Sequence, residues 1–172
     1  MTTHPHPLTT RSTAKPAASV RSIVAAAPYF FVLAGIYIAY GFLWYFAAKE
    51  KLIDDGGAMP AGLAKAFDGS ILASVPGLDA SWVLLGVLEA VAFVLFAASL
   101  VTGEFLPQRR KPILMGALGL SALTFAVMVF AQSVIADHES VASLMTYLAG
   151  SIVALVAVAA ATPERVKQLF DR

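Results

Sequence analysis

The chain has 172 residues, 59% of them hydrophobic and 13% charged, with a mean hydropathy of +0.77. A soluble domain carries about one-quarter charged residues, so this composition excludes an ordinary soluble fold and belongs to a membrane protein. A net charge of +1 gives no case for nucleic acid, and zero cysteines exclude disulfides, thiolate metal sites and thiol exchange by the chain itself.

Residues 1–22, MTTHPHPLTTRSTAKPAASVRS, are polar and basic and read as a disordered N-terminal tail. The apolar run 23–48 is too long for a signal-peptide core and has no small-residue cleavage site after it, so it reads as a retained first span. The second span is 81–102 (or from Asp79), interrupted only by Glu89; the third is 112–136 and the fourth 140–162, both without charge. At about 1.5 Å per residue, runs of 22–26 residues cross about 30 Å of hydrocarbon with some tilt. The expectation is an all-α, integral membrane four-helix bundle over 23–163, followed by a C-terminal tail at 164–172.

Placing both termini in the cytoplasm puts nine of the twelve Lys and Arg residues inside. Only Lys49, Lys51 and Lys65 then fall outside, and the Arg109-Arg110-Lys111 cluster lies on the second loop, where the positive-inside rule has most force. The segment 49–80 becomes the external connection. It opens on the turn signal Asp54-Asp55-Gly56-Gly57, and Pro60 then starts a short helix with Leu63, Ala66, Phe67 and Ser70 or Ile71 on one face. Two readings stand for that helix: an amphipathic segment at the interface, or a cap over a cavity or partner surface. The short second and third loops make neighbouring helices antiparallel.

Helices in lipid associate by close packing and a few polar contacts. Small residues four apart occur in every span: Gly35 with Ala39, Gly86 with Ala90, Ala117 with Ser121, and Gly150 with Ala154. Tyr40, Trp44, Tyr45 and Trp82 cluster near the external boundary and read as an aromatic belt.

The second span contains VLLGVLEAVAFVLFA, with Glu89 about 12 Å below its outer end. Its Leu, Val and Phe residues contribute about −0.3 to −0.6 kcal/mol each against about +3 for a central acid, so insertion survives the glutamate without explaining it. Counted to the same depth, the other spans offer Tyr40 and Gly41, with Tyr37 a turn deeper, then Thr124, with Gln132 higher, and Thr146, Tyr147 and Ser151. Three readings remain open: a buried structural network, an incidental neutral acid, or a ligand or proton site formed by Glu89, Tyr40, Tyr37, Thr124, Tyr147 and Ser151. In the last, the ligand is a quinone headgroup, a relayed proton or a small polar molecule.

Metal chemistry has little to work with. His4 and His6 are an incomplete pair, Asp137-His138-Glu139 reads as a solvated turn, and no span contains a histidine. No P-loop, dinucleotide fingerprint or nucleophile elbow is present, so no catalytic residue is assigned.

YGFLWYFAAKEKL, AFDGSILASVPGL and GVLEAVAFVLFAASLVTG together resemble the DoxX-like superfamily of small four-helix membrane proteins. Gly41, Lys49 (or Lys51), Gly86, Glu89 and Gly103 occupy the family-motif places, and the resemblance covers roughly residues 30–135. It implies a subunit or anchor of a redox or respiratory complex in a bacterial plasma membrane, with other membrane proteins as partners. No covalent cofactor is expected; quinone is the candidate ligand. The alternatives are a scaffold or assembly protein without chemistry of its own, and a small proton-coupled transporter.

Overall fold

The structure, a computed structural model, describes residues 20–74 and 77–161. The expectations for the N-terminal tail, including His4 and His6, and for residues 164–172 lie outside the described residues, apart from Val20 to Ser22. Those three residues already belong to α1, which covers Val20–Lys49 and passes into a π-helical turn, Glu50–Asp54. A short α2, Ala61–Ala66, and a 3-10 turn, Ile71–Ala73, follow; α3 is Leu78–Val101, α4 Pro112–Val134 and α5 His138–Ala160. No strand occurs among the described residues.

Four of these helices are long and apolar enough to cross a membrane: Ala27–Asp54, Leu78–Val101, Pro112–Val134 and His138–Ala160. The chain is therefore an all-helical protein of membrane-spanning character. The first span differs from the expected one, because helical structure continues six residues past Ala48, to Asp54. Lys49 and Lys51 thus belong to the helix rather than to the loop.

Successive long helices are antiparallel neighbours, α1 against α3, α3 against α4 and α4 against α5. One end of the bundle carries the connection containing α2, together with the α4–α5 turn; we call it the α2 end. The other carries the α3–α4 link and is called the Arg109 end. Two helix starts have a local cause. Pro112 occupies the first turn of α4, where its missing N–H leaves no bond unmade. Asp137 begins α5 by accepting from the Ser140 amide at 3.0 Å and hydroxyl at 2.6 Å.

The core is narrow. Leu33, Trp44, Ala92, Phe96, Leu114, Ala117, Leu118 and Phe125 are buried, whereas Phe31 and Val101 are 75% and 87% exposed. Such a surface is a liability in water and the normal contact surface in lipid. Of the small-residue pairs, Ala117 and Ser121 are fully buried, and Ser121 accepts the Trp44 indole N–H at 2.8 Å. A Cβ at Gly35 would meet nothing within 4 Å, so that residue makes no close helix contact. The aromatic belt needs correction as well. Trp44 is 1% exposed and packs on Phe125 at 4.8 Å, so it is a core residue; of the four, only Tyr45 is exposed.

Candidate functional site

Glu89 is completely buried, and the group that meets it is Lys51, whose Nζ lies 3.1 Å from Oε1. The two side chains are 7% and 1% exposed. Helix geometry explains the meeting. Side chains lean toward the N-terminus of their own helix. At the α2 end, Lys51 therefore leans down into the bundle, while Glu89, on the antiparallel α3, leans up toward it. Gly86 permits the approach: a Cβ there would lie 2.9 Å from Leu52 Cδ2 and 3.1 Å from Lys51 Cβ. Any side chain at that point would have to displace Leu52 and the stem of Lys51. Trp82, a turn above Gly86, completes the site, with Lys51 Nζ 4.6 Å from its ring centroid.

The site is incompletely satisfied. Neither Glu89 oxygen has a hydrogen bond of good geometry beyond the ion pair, and Trp82 Nε1 is buried without a partner. The Lys51 ammonium brings three donors to a single carboxylate contact.

The other expected site residues lie elsewhere. Lys49 pairs with Asp54 at 2.7 Å on the surface and does not reach Glu89. Tyr40 stacks on Phe96 at 5.7 Å and its hydroxyl accepts from Ser151 at 3.2 Å. Phe96 is seven residues along α3 from Glu89, about 10 Å deeper. Tyr37 is deeper still, with its hydroxyl 2.7 Å from Ser99. Thr124 is buried and bonds back to the Leu120 carbonyl at 2.9 Å; Tyr147 stacks on Phe125 at 5.5 Å with its side chain half exposed. The first span ends at Asp54, six residues beyond Ala48, so Tyr40 and Tyr37 lie deeper in the bundle than Glu89. The acid thus has a buried charged partner, and it is a lysine instead of a tyrosine.

A second buried carboxylate, Glu104, was not anticipated by the sequence reading. It sits at the Arg109 end, where Gly103, at φ +76°, closes α3 and turns the chain back so that the Glu104 amide reaches the Ser99 carbonyl at 3.0 Å. The Glu104 carboxylate then accepts from Ile113 N at 3.0 Å, Leu114 N at 2.7 Å and Ser99 Oγ at 2.9 Å. These are the open amides of the first turn of α4, where negative charge is favoured. Because Ser99 donates to the carboxylate, Tyr37 donates to Ser99, and one acid ties α1, α3 and α4 together. Lys111 folds beside it, donating to the Arg109 carbonyl at 3.0 Å over the Tyr29 ring; burial pulls its ammonium below the ordinary lysine range, against the pull of Glu104. An acid after a helix-closing glycine, a few residues before a proline-led helix, was the available signal, and it is a common pattern.

Between α1 and α3 lies an apolar groove of about 360 Å³ lined by Tyr37, Gly41, Tyr45, Phe93, Phe96 and Leu100. A Cβ at Gly41 would meet nothing within 4 Å, so this glycine leaves the groove open. Glu89 is not in its wall, although Phe93 lies one turn from it. Among the described residues no cluster of three metal-ligating side chains exists, and the Asp137 carboxylate is engaged at the start of α5. Comparison with family models, curated proteins and solved structures finds no match.

Proposed function

We propose that the chain is a non-catalytic integral membrane subunit, or anchor, of a redox assembly, and that it holds the hydrocarbon chain of a quinone or lipid between α1 and α3. The observation that carries this reading is the groove. Its volume falls in the range of small-molecule sites and its walls are aromatic and aliphatic, which suits an isoprenoid or acyl chain rather than a charged solute. The redox setting comes from the resemblance to DoxX-like proteins. The cytoplasmic placement of both termini and the interfacial position of α2 rest on the charge distribution; a bacterial plasma membrane rests on the resemblance. The quinone or lipid lies along Gly41 and Phe93, beside Glu89 and not around it.

The test is extraction of the protein purified in mild detergent, with quinone and lipid measured per chain. Wild type is expected to retain one long-chain molecule, and Gly41→Leu, which fills open space, to lose it while remaining folded. Equal retention by the two proteins, or none by wild type, sinks the proposal. A scaffold role is the second reading. It draws support from Ile53 and Ile71, 71% and 68% exposed at the α2 end. It predicts that mild-detergent purification recovers a stoichiometric protein partner that Ile53→Ser/Ile71→Ser loses.

A further inference from the structure

We propose that Glu89 and Trp82 form a binding site for a primary alkylammonium group, and that Lys51 is its resident occupant. A site for such a cation needs a desolvated carboxylate and an aromatic face aimed at one point. Both are present: Nζ of Lys51 lies 3.1 Å from Glu89 Oε1 and 4.6 Å from the Trp82 centroid. The occupant comes from the chain itself, on a four-carbon arm.

Two observations distinguish this arrangement from a structural ion pair. First, it is unsaturated. Apart from the Lys51 contact, the Glu89 oxygens and Trp82 Nε1 are buried without hydrogen-bond partners, whereas a buried pair that only fastens helices needs its remaining lone pairs satisfied. Second, the occupant has a way out. Lys51 lies in the π-helical turn that ends the first span, and a lysine stem at a span end extends readily to the aqueous boundary. Glu89, eleven residues into α3, has no such route. The two partners are therefore unequal: the carboxylate and indole are fixed, and the ammonium is exchangeable.

The ligand class follows from the occupant. It is a primary ammonium on an unbranched alkyl arm, because Gly86 and Leu52 leave the arm little width. Two sources carry that group, a soluble lipophilic amine and the ammonium head of an aminolipid. The inference is independent of the groove, which lies on other residues.

The test uses the full chain in phosphatidylcholine nanodiscs, with n-propylammonium chloride as probe and n-propanol as the uncharged control. Lys51→Ala removes three carbons and the ammonium, the outline of the probe. The variant is expected to unfold at a lower temperature, and n-propylammonium, but not propanol, to restore the loss. Lys51→Ala/Glu89→Gln should show no amine-dependent gain. Wild type should bind the probe about tenfold or more weakly than Lys51→Ala, since its site is open only part of the time. Discs containing phosphatidylethanolamine that replace the soluble amine identify the lipid as source; if only the soluble amine acts, the source is soluble. If Lys51→Ala does not fold, the same amine titration of wild type against Glu89→Gln decides: a shift in wild type that Glu89→Gln abolishes supports the site. An absence of any Glu89-dependent amine effect overturns it. Gly41→Leu should leave amine binding unchanged, which separates failure here from failure of the groove reading.

Discussion

Two glutamates are buried among the described residues, one toward each end of the bundle, and their surroundings are opposite. Glu104 receives two backbone amides and a serine hydroxyl at 2.7–3.0 Å, at the positive end of a helix. Glu89 receives one lysine at 3.1 Å and no well-formed hydrogen bond. The first carboxylate completes a helix terminus that would otherwise hold unpaired amides. The second completes nothing in the backbone, and α3 passes through it undisturbed. Burial alone therefore does not distinguish a structural acid from a site acid. The number of donors already committed to its oxygens does.

The largest expected effect comes from Glu104→Ala, which leaves two amides and a hydroxyl unpaired and should cost on the order of 3–5 kcal/mol, read as a lower unfolding temperature in detergent. Glu104→Gln should recover part of it, because the amide oxygen still accepts. A loss no larger than that of a surface substitution would break the comparison at the Arg109 end.

At the α2 end, Lys51→Met should cost about 3 kcal/mol by leaving the carboxylate without its partner, while Lys51→Met/Glu89→Leu should return close to wild-type stability or exceed it. That recovery is the signature of a pair that is dispensable to the fold. A double variant as unstable as Glu104→Ala would instead make Glu89 a structural acid like its counterpart.

The smallest effect belongs to a half-buried acid that bridges the two cases. Hydrogen bonds from Ser140 hold the Asp137 carboxyl below its usual pKa of 3.8. Its native pKa is the lower one, so its contribution is complete above about pH 4 and disappears as pH falls through the lowered value. Protection of the Ser140 amide, measured as its hydrogen exchange relative to the intrinsic rate at each pH, should fall in that acid window and stay constant above it; Asp137→Asn should flatten the dependence.

The four spans were legible in the sequence because hydrocarbon thickness imposes a minimum length and forbids charge, and both constraints are local. Helix ends were less legible. Ala48 followed by Lys-Glu-Lys reads as a boundary, yet the chain stays helical to Asp54, and the second of those lysines, Lys51, has a buried partner. Glu89 was visible as an anomaly, and Gly86 as a motif residue without a reason. The reason is the approach of Lys51 and Leu52 to within about 3 Å of where its Cβ would stand. Glu104 was hidden in a polar loop, since nothing in a six-residue neighbourhood reveals that Ile113 and Leu114 will present their amides to it.

Composition and hydropathy thus determined the all-helical class, the number of spans and the presence of one acid within them. Which lysine faces that acid, which aromatic rings enter the core and which glutamate closes a helix were decided only by tertiary structure. Each depends on the rotation of one helix against another and on where a helix ends, and a shift of half a turn exchanges Lys49 for Lys51.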